Sequence, residues 1–235
     1  KKSTIFFSMK TIIKILLGVS ILFLAYFAVM SIVTPIQFDE EKARREAIII
    51  QSLIDLRNAE VEFKDQNGVY TDNYQDLFKF LRTAKKKTVL KEGSLSDKQL
   101  EAGLTEEAAA KIVRSGNAKA IAENGLQNFR RDTAYVPMIE ALYPEKYTAE
   151  NIENIANVPF SENAKFKIEV NNTYMSSNGI KIPLFQASVL YEVYLYDLNR
   201  QEVLNKIDIQ NKLTKFPGLM VGSVSEPNNN AGNWE

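Results

Sequence analysis

The chain has 235 residues, 45% of them hydrophobic, with 29 basic and 29 acidic side chains and no net charge. It contains neither cysteine nor histidine. That excludes disulfides, thiol nucleophiles and thiolate metal sites, and it removes the commonest general base and transition-metal ligand. The length fits one membrane segment plus one compact domain, and without a basic excess nothing points to a nucleic-acid partner.

The first element in chain order is a membrane span. Between Lys14 and Asp39 lie 24 residues without a formal charge, and Ile15 to Val33 is nearly all apolar, enough to cross about 30 Å of hydrocarbon as a helix. Twelve Leu, Ile, Phe and Val residues in that stretch favour insertion by roughly 4 to 7 kcal/mol in sum. Ile15, Leu16, Leu17, Leu22, Phe23, Leu24, Phe27 and Val33 are the predicted anchor residues. A cleaved signal peptide would have an apolar core of about 7 to 15 residues and then a small-residue cleavage site, so the reading is an uncleaved anchor in contact with membrane lipid.

Lys1, Lys2, Lys10 and Lys14 precede the span with no acidic residue, and Asp39, Glu40 and Glu41 follow it. This bias places the amino end in the cytoplasm, although Lys42, Arg44 and Arg45 behind the span narrow it. Met9-Lys10 has the look of a natural start, with residues 1–8 as an upstream extension. The predicted organisation is a cytoplasmic N-terminus over 1–10, a transmembrane helix over 11–34, an amphipathic stalk helix over 35–67 and an exported α+β head over 68–235.

Pro35 either opens a new helix or kinks a continuous one. From Asp39 to Gln66 the pattern is amphipathic: Ile49, Leu53, Leu56 and Phe63 form one stripe, widened by Ile50, Ile54 and Val61. Glu40 with Arg44, Glu41 with Arg45 and Glu60 with Lys64 stand at favourable i,i+4 spacing. The stripe suits either the chain's own sheet or a coiled-coil partner. If the helix continues through Pro35, it is a rod of some 80 Å over residues 11–66.

After Asn67-Gly68, a turn at Val69–Asp72 leads into a helix carrying Leu77, Phe78, Phe80 and Leu81. Lys85, Lys86 and Lys87 read as a solvated face. A strand is predicted over 86–92, then short helices at Ser96–Gln99, after Thr105, and up to Gly125. The second half is richer in β-branched and aromatic residues, and strands are predicted over 129–139, 164–170, 180–186 and 188–195. A hairpin loop at Ser176–Gly179 makes antiparallel pairing the natural outcome. Thr148 caps a short helix, Asp197 opens a last helix reaching about Lys215, and a polar tail closes the chain. Helices first and strands later is the α+β pattern: an N-terminal helix, then a head of short helices and a three- or four-stranded, mainly antiparallel sheet.

The chemistry-bearing residues give little. None of the ten glycines forms a dinucleotide or phosphate-loop motif. Arg130, Arg131 and Asp132 are either a binding cluster or edge charges in a local ion pair. Asn228, Asn229 and Asn230 offer neutral oxygens to a hard cation such as calcium, but Asn and Gly are turn residues first, and Trp234 reads as an apolar plug that closes the tail onto the domain. No catalytic residue, cofactor or metal site is predicted.

From Ile15 to Leu81 the chain resembles type IV pilins and type II secretion pseudopilins. The likeness lies in the apolar span, Pro35 near its end, Ala43-Arg44-Arg45, the run from Ile54 to Phe63, and Asn67-Gly68-Val69-Tyr70-Thr71 ahead of Leu77. Ala231-Gly232-Asn233-Trp234 is similar to the end of major pseudopilins, where an acidic loop holds calcium and this chain has asparagines. The family's cleavage site and the glutamate early in its span have no counterpart, since no acidic residue precedes Asp39. The resemblance therefore implies a stalk and head in an envelope or secretion apparatus rather than a polymerising pilus. The expectation is a non-enzymatic scaffold of the bacterial inner membrane, with protein partners or self-association and an exported head. The alternatives are an anchored carboxylate-based hydrolase and a ligand or ion sensor.

Overall fold

The computed structural model describes residues 2–235, the side chains of 2–8, 10, 89–91, 132 and 133 excepted. The architecture is α+β, with a long apolar N-terminal helix, short helices, and antiparallel sheets of two and three strands. Two compact units are present: residues up to Tyr74 together with Asn154–Glu235, and Gln75–Glu153. Elements are numbered in chain order.

The first unit is organised by α1 (Lys2–Asn67), a single helix of 66 residues that runs through Pro35. Along its first half every side chain from Thr11 to Val29 is exposed, so the apolar surface there is not covered by the rest of the chain. Phe38 is the first buried apolar side chain, and Ile49, Leu53, Leu56 and Ala59 continue the line at helical spacing, each fully buried. They lie where α1 packs against β4 (Leu184–Leu190) and β5 (Gly218–Gly222).

With β3 (Lys167–Asn171), these strands make an antiparallel sheet of order β3-β4-β5. Ala187 stands opposite Val221 and Val189 opposite Leu219, so their apolar side chains share one buried face. Gly222 ends β5 at φ 75°, and a Cβ there would come within 2.2 Å of the Phe185 carbonyl oxygen, so only glycine fits.

Two predicted strands are replaced. Residues 180–186 and 188–195 do not form separate strands; β4 spans Leu184–Leu190, and Tyr191–Tyr194 is a helical turn, α7. The reason is spacing: Tyr191 and Tyr194, three apart, are buried together, which a strand's two-residue period does not allow. Ile180 to Ile182 belong to the hairpin loop, closed by the Met175–Lys181 bridge. α8 (Arg200–Lys212) is capped by Asn199, whose side chain accepts from the amides of Gln201 and Glu202, and not by Asp197.

The second unit holds α2 (Tyr74–Thr83) from Gln75 onward, β1 (Lys85–Glu92), α3 (Asp97–Glu101), α4 (Glu106–Arg114), α5 (Ala118–Glu123), β2 (Arg130–Pro137) and α6 (Met138–Leu142). β1 and β2 pair antiparallel over eight residues, Lys85 opposite Pro137 through Glu92 opposite Arg130. The three short helices between them surround Leu95, Ala109, Leu126 and Phe129. Their starts follow the capping signals: Ser96 with Gln99, and Thr105, whose hydroxyl accepts from the Ala108 amide at 3.2 Å. The helix expected after Thr148 is a 3-10 turn at Ile152–Ala156, preceded by an Asn151 side chain that accepts from the Thr148 amide.

The packing of α1 on the sheet sets a graded expectation. Leu56→Ala, at a fully buried position, should lower the unfolding free energy by roughly 2 to 5 kcal/mol, and Phe63→Ala, at a half-buried one, by less. Urea unfolding of the detergent-solubilised chain, with the slope unchanged, checks the order.

Candidate functional site

The densest polar arrangement of the first unit encircles α1 just beyond its apolar half. Arg45 is its centre, with only 8% of its side chain exposed. Its two terminal nitrogens donate to the Asp197 carboxylate at 2.6 and 2.8 Å, one of them also to the Tyr194 carbonyl at 2.7 Å, and Nε donates to Glu41 at 2.8 Å. This is a bidentate, charge-assisted pair, and with the carbonyl and Glu41 four of the five N–H donors are engaged, which is how a buried guanidinium is tolerated. The Phe160 ring lies 5.1 Å from the Arg45 guanidinium and 5.2 Å from that of Arg44. Phe160 is held at φ 60°, an unfavourable conformation for an aromatic residue, which presents its ring to both arginines.

The charges around this collar reinforce one another. Hydrogen bonds from Arg44 and then Arg45 draw Glu41 down to about 2, and Arg45 lowers Asp197 in the same way. Tyr194 donates its hydroxyl to Glu46 at 2.8 Å, Lys42 pairs with Glu46 at 2.7 Å and lies over the Tyr191 ring, and Lys206 of α8 pairs with Asp39 at 2.8 Å. The sequence spacing identified Glu41–Arg45. Arg44 turns to Glu41 rather than to Glu40, and Asp197, expected to begin a helix, is instead the partner of Arg45.

The predicted anchor residues Ile15, Leu16, Leu17, Leu22, Phe23, Leu24 and Phe27 are all exposed, and Val33 is half-buried. Ile49, Leu53 and Leu56 are fully buried, while Phe63 is half-buried. Trp234 is half-buried, its ring so close over Gly232 that a Cβ there would meet it at 2.4 Å. The tail around it is tied down by a Gly232–Val221 bridge, by Asn233 bonding Met220 in both directions, and by Arg57, which donates to the Asn230 carbonyl and to Glu235 at 2.8 Å. Beside Trp234 lies a cavity of about 510 Å³, lined among others by Glu46, Tyr191, Phe216 and Met220.

The tail asparagines are occupied as donors. Asn228 gives its amide to the Ala231 carbonyl and Asn230 to the Tyr70 hydroxyl, while Asn229 and Asn230 adopt positive φ. Among the described residues no group of three or more acidic side chains is arranged to hold a metal ion. Arg131 is a local lock of the second unit. It donates to the carbonyls of Glu92, Gly93 and Arg130, pairs with Glu106 at 3.2 Å and lies 4.0 Å above the Phe129 ring. The Asp132 side chain lies outside the described residues. A cavity of about 280 Å³ in this unit is lined by Glu140 and Glu145 beside Tyr143 and Tyr147.

Sequence reasoning missed Glu60. It does not pair with Lys64, whose neighbour is Asp65 at 3.6 Å. It is fully buried, with one carboxyl oxygen accepting from the Thr71 amide at 3.2 Å and the other without a partner. Burial, with Asp72 nearby, pushes it up to about 8. Its place on the apolar stripe, one residue after Ala59 and four after Leu56, was the available signal.

Compared with known proteins, the chain matches no family model, no curated protein and no solved structure.

Because Glu60 holds its proton more tightly when folded, its contribution to stability is fully present below the ordinary value of 4.5, declines as the pH rises from there to about 8, and is flat above. The decline amounts to at most about 1.4 kcal/mol per unit of that window. Glu60→Gln should remove this slope and leave the variant more stable than the parent above pH 8. Denaturant unfolding across the pH range checks it, and a parent curve that rises through the window would contradict the assignment.

Proposed function

We propose that this protein is a single-pass, membrane-anchored structural component of a bacterial cell-envelope or secretion apparatus, a pilin-like stalk and head that acts as a scaffold. One observation carries the reading: a single uninterrupted helix has an apolar first half with none of its described side chains buried and a second half locked to a sheet. A chain that merely needed anchoring could use a flexible linker. A continuous helix clamped by Arg45 fixes both the distance and the direction of the sheet from the span, which is what a scaffold requires.

The four lysines ahead of the span and the acidic residues directly after it support an amino end in the cytoplasm and an exported C-terminal portion. The resemblance to pilins and pseudopilins supports the envelope setting. The span without an early glutamate supports a fixed component over a polymerising one, because filament assembly in that family draws on that charge. The scaffold's partners are proteins, including a second copy of this chain, reached through exposed positions on the stalk such as Ile48.

Two measurements in whole cells test this. A membrane-impermeant maleimide should label Tyr196→Cys, at an exposed position, in intact spheroplasts, and should label Lys2→Cys only after the membrane is opened; the reverse pattern would overturn the orientation. A photo-crosslinker at Ile48 should give a discrete adduct with a second copy or with an envelope or secretion component, and the absence of any adduct would count against the scaffold.

A further inference from the structure

The contacts of the first unit define which of its ends is nearer the span. At one end of the sheet Phe185 meets Tyr70, with ring centroids 4.9 Å apart, late on the chain's long helix and its following turn. At the other end Leu190 stands opposite Gly218, and immediately beyond it come α7 and α8. These two helices touch α1 only a few residues after the span: Tyr191 at Lys42, Tyr194 and Asp197 at Arg45, and Lys206 at Asp39. Asp39 follows the predicted end of the span at residue 34 by five positions, about 7.5 Å of helix. The headgroup layer on each side of a bilayer is itself about 5 to 8 Å deep.

α8 is a largely polar helix, yet it leaves two large apolar side chains in solvent along one stripe. Glu202, Lys206, Ile209 and Leu213 recur at i, i+4, i+7 and i+11 and so form one stripe, and Lys206 of that stripe is the residue that reaches Asp39. Ile209 is 51% and Leu213 58% exposed. Val203, on another face, is buried, so the helix already has its contact with the unit and these two apolar side chains are surplus to it. Lys212 beside them is exposed and pairs with Asp208 one turn earlier, while Lys215, past the end of α8, lines the cavity shared with Glu46 and Trp234; the Lys212 stem is long enough to carry its charge from an apolar boundary to phosphate.

We propose that α8 is an interfacial helix: it docks on the phospholipid surface of the same bilayer that holds the span, with Ile209 and Leu213 at the headgroup–acyl boundary and Lys212 at the phosphates. The proposal rests on the membrane-anchor reading. It adds a second attachment, which, together with the Arg45 collar, restrains the unit from tilting about the end of the span. Interfacial helices bury their apolar face only about 5 to 10 Å into that layer, which matches a helix tied to Asp39.

The chain has no native cysteine, so single cysteines at Ile209, Leu213, Ile48 and Phe23 can each carry an environment-sensitive fluorophore in the full-length protein, reconstituted in phospholipid vesicles with and without lipids brominated near the headgroup. All four positions are exposed, so the label displaces no packing. The expected result is a blue shift and bromine quenching at Ile209 and Leu213, deeper quenching at Phe23 and none at Ile48. Quenching at Phe23 with none at Ile209 and Leu213 would overturn the docking and leave the anchor standing. No quenching at Phe23 would overturn the anchor and the docking with it. A blue shift at Ile209 and Leu213 without bromine quenching would mean that a second copy or another protein covers α8, and would also overturn the proposal.

Discussion

Arg45 decides how the first unit hangs together. The first half of α1 carries apolar side chains on every face, whereas a helix lying on a sheet needs them on one, and the change is made within a few turns after Val33. Arg45 stands in that transition and reaches across 152 residues of sequence to the carboxylate of Asp197 and 149 to the carbonyl of Tyr194. Burying a guanidinium is costly unless its donors find partners, and here the bidentate carboxylate, the carbonyl and Glu41 together engage four of the five. The consequence is positional: once Arg45 is fixed, α7 and α8 can lie only against the first turns of the stalk, and β4, which leads into α7, must run alongside α1.

The rest of the unit follows from that placement. With β4 and β5 against α1, the stripe from Ile49 to Ala59 is covered, and the edge of β5 is closed by the tail through Gly232 and Asn233. An uncovered edge would be a template for pairing with other chains, so Trp234 packed over Gly232 and the Arg57–Glu235 pair both keep that edge closed. Glu60 is the exception in a stripe otherwise filled with apolar side chains. It is kept neutral by burial, and its single bond to the Thr71 amide holds the turn that follows the stalk.

Much of this was legible in the residues. The long apolar helix, its amphipathic second half, the capped short helices and the antiparallel pairing rest on local periodicity and capping chemistry, which a sequence displays directly. What was hidden depends on partners distant in the chain. Asp197 reads as a helix start because Asp often caps helices, and only the fold brings it to Arg45. β5 escaped because five residues bounded by glycines after a proline carry the marks of a loop, and its strand character comes from pairing with β4. Tyr191 and Tyr194 suggested a strand by composition, although their spacing of three was already helical. Glu60 was assigned to Lys64 by the i,i+4 rule, which takes no account of which face of the helix is buried. The apolar stretch from Ile15 to Val33, by contrast, needed no partner to be seen.

The account depends above all on α1 being one rigid helix through Pro35, since a hinge there would uncouple the clamped sheet from the span. Spin labels at Leu24 and Ile48, both exposed, measure this directly by double electron–electron resonance in reconstituted bilayers. Twenty-four residues of unbroken helix predict one narrow distance near about 36 Å. A broad distribution, or a distance several ångströms shorter, would show a joint at Pro35 and contradict the account.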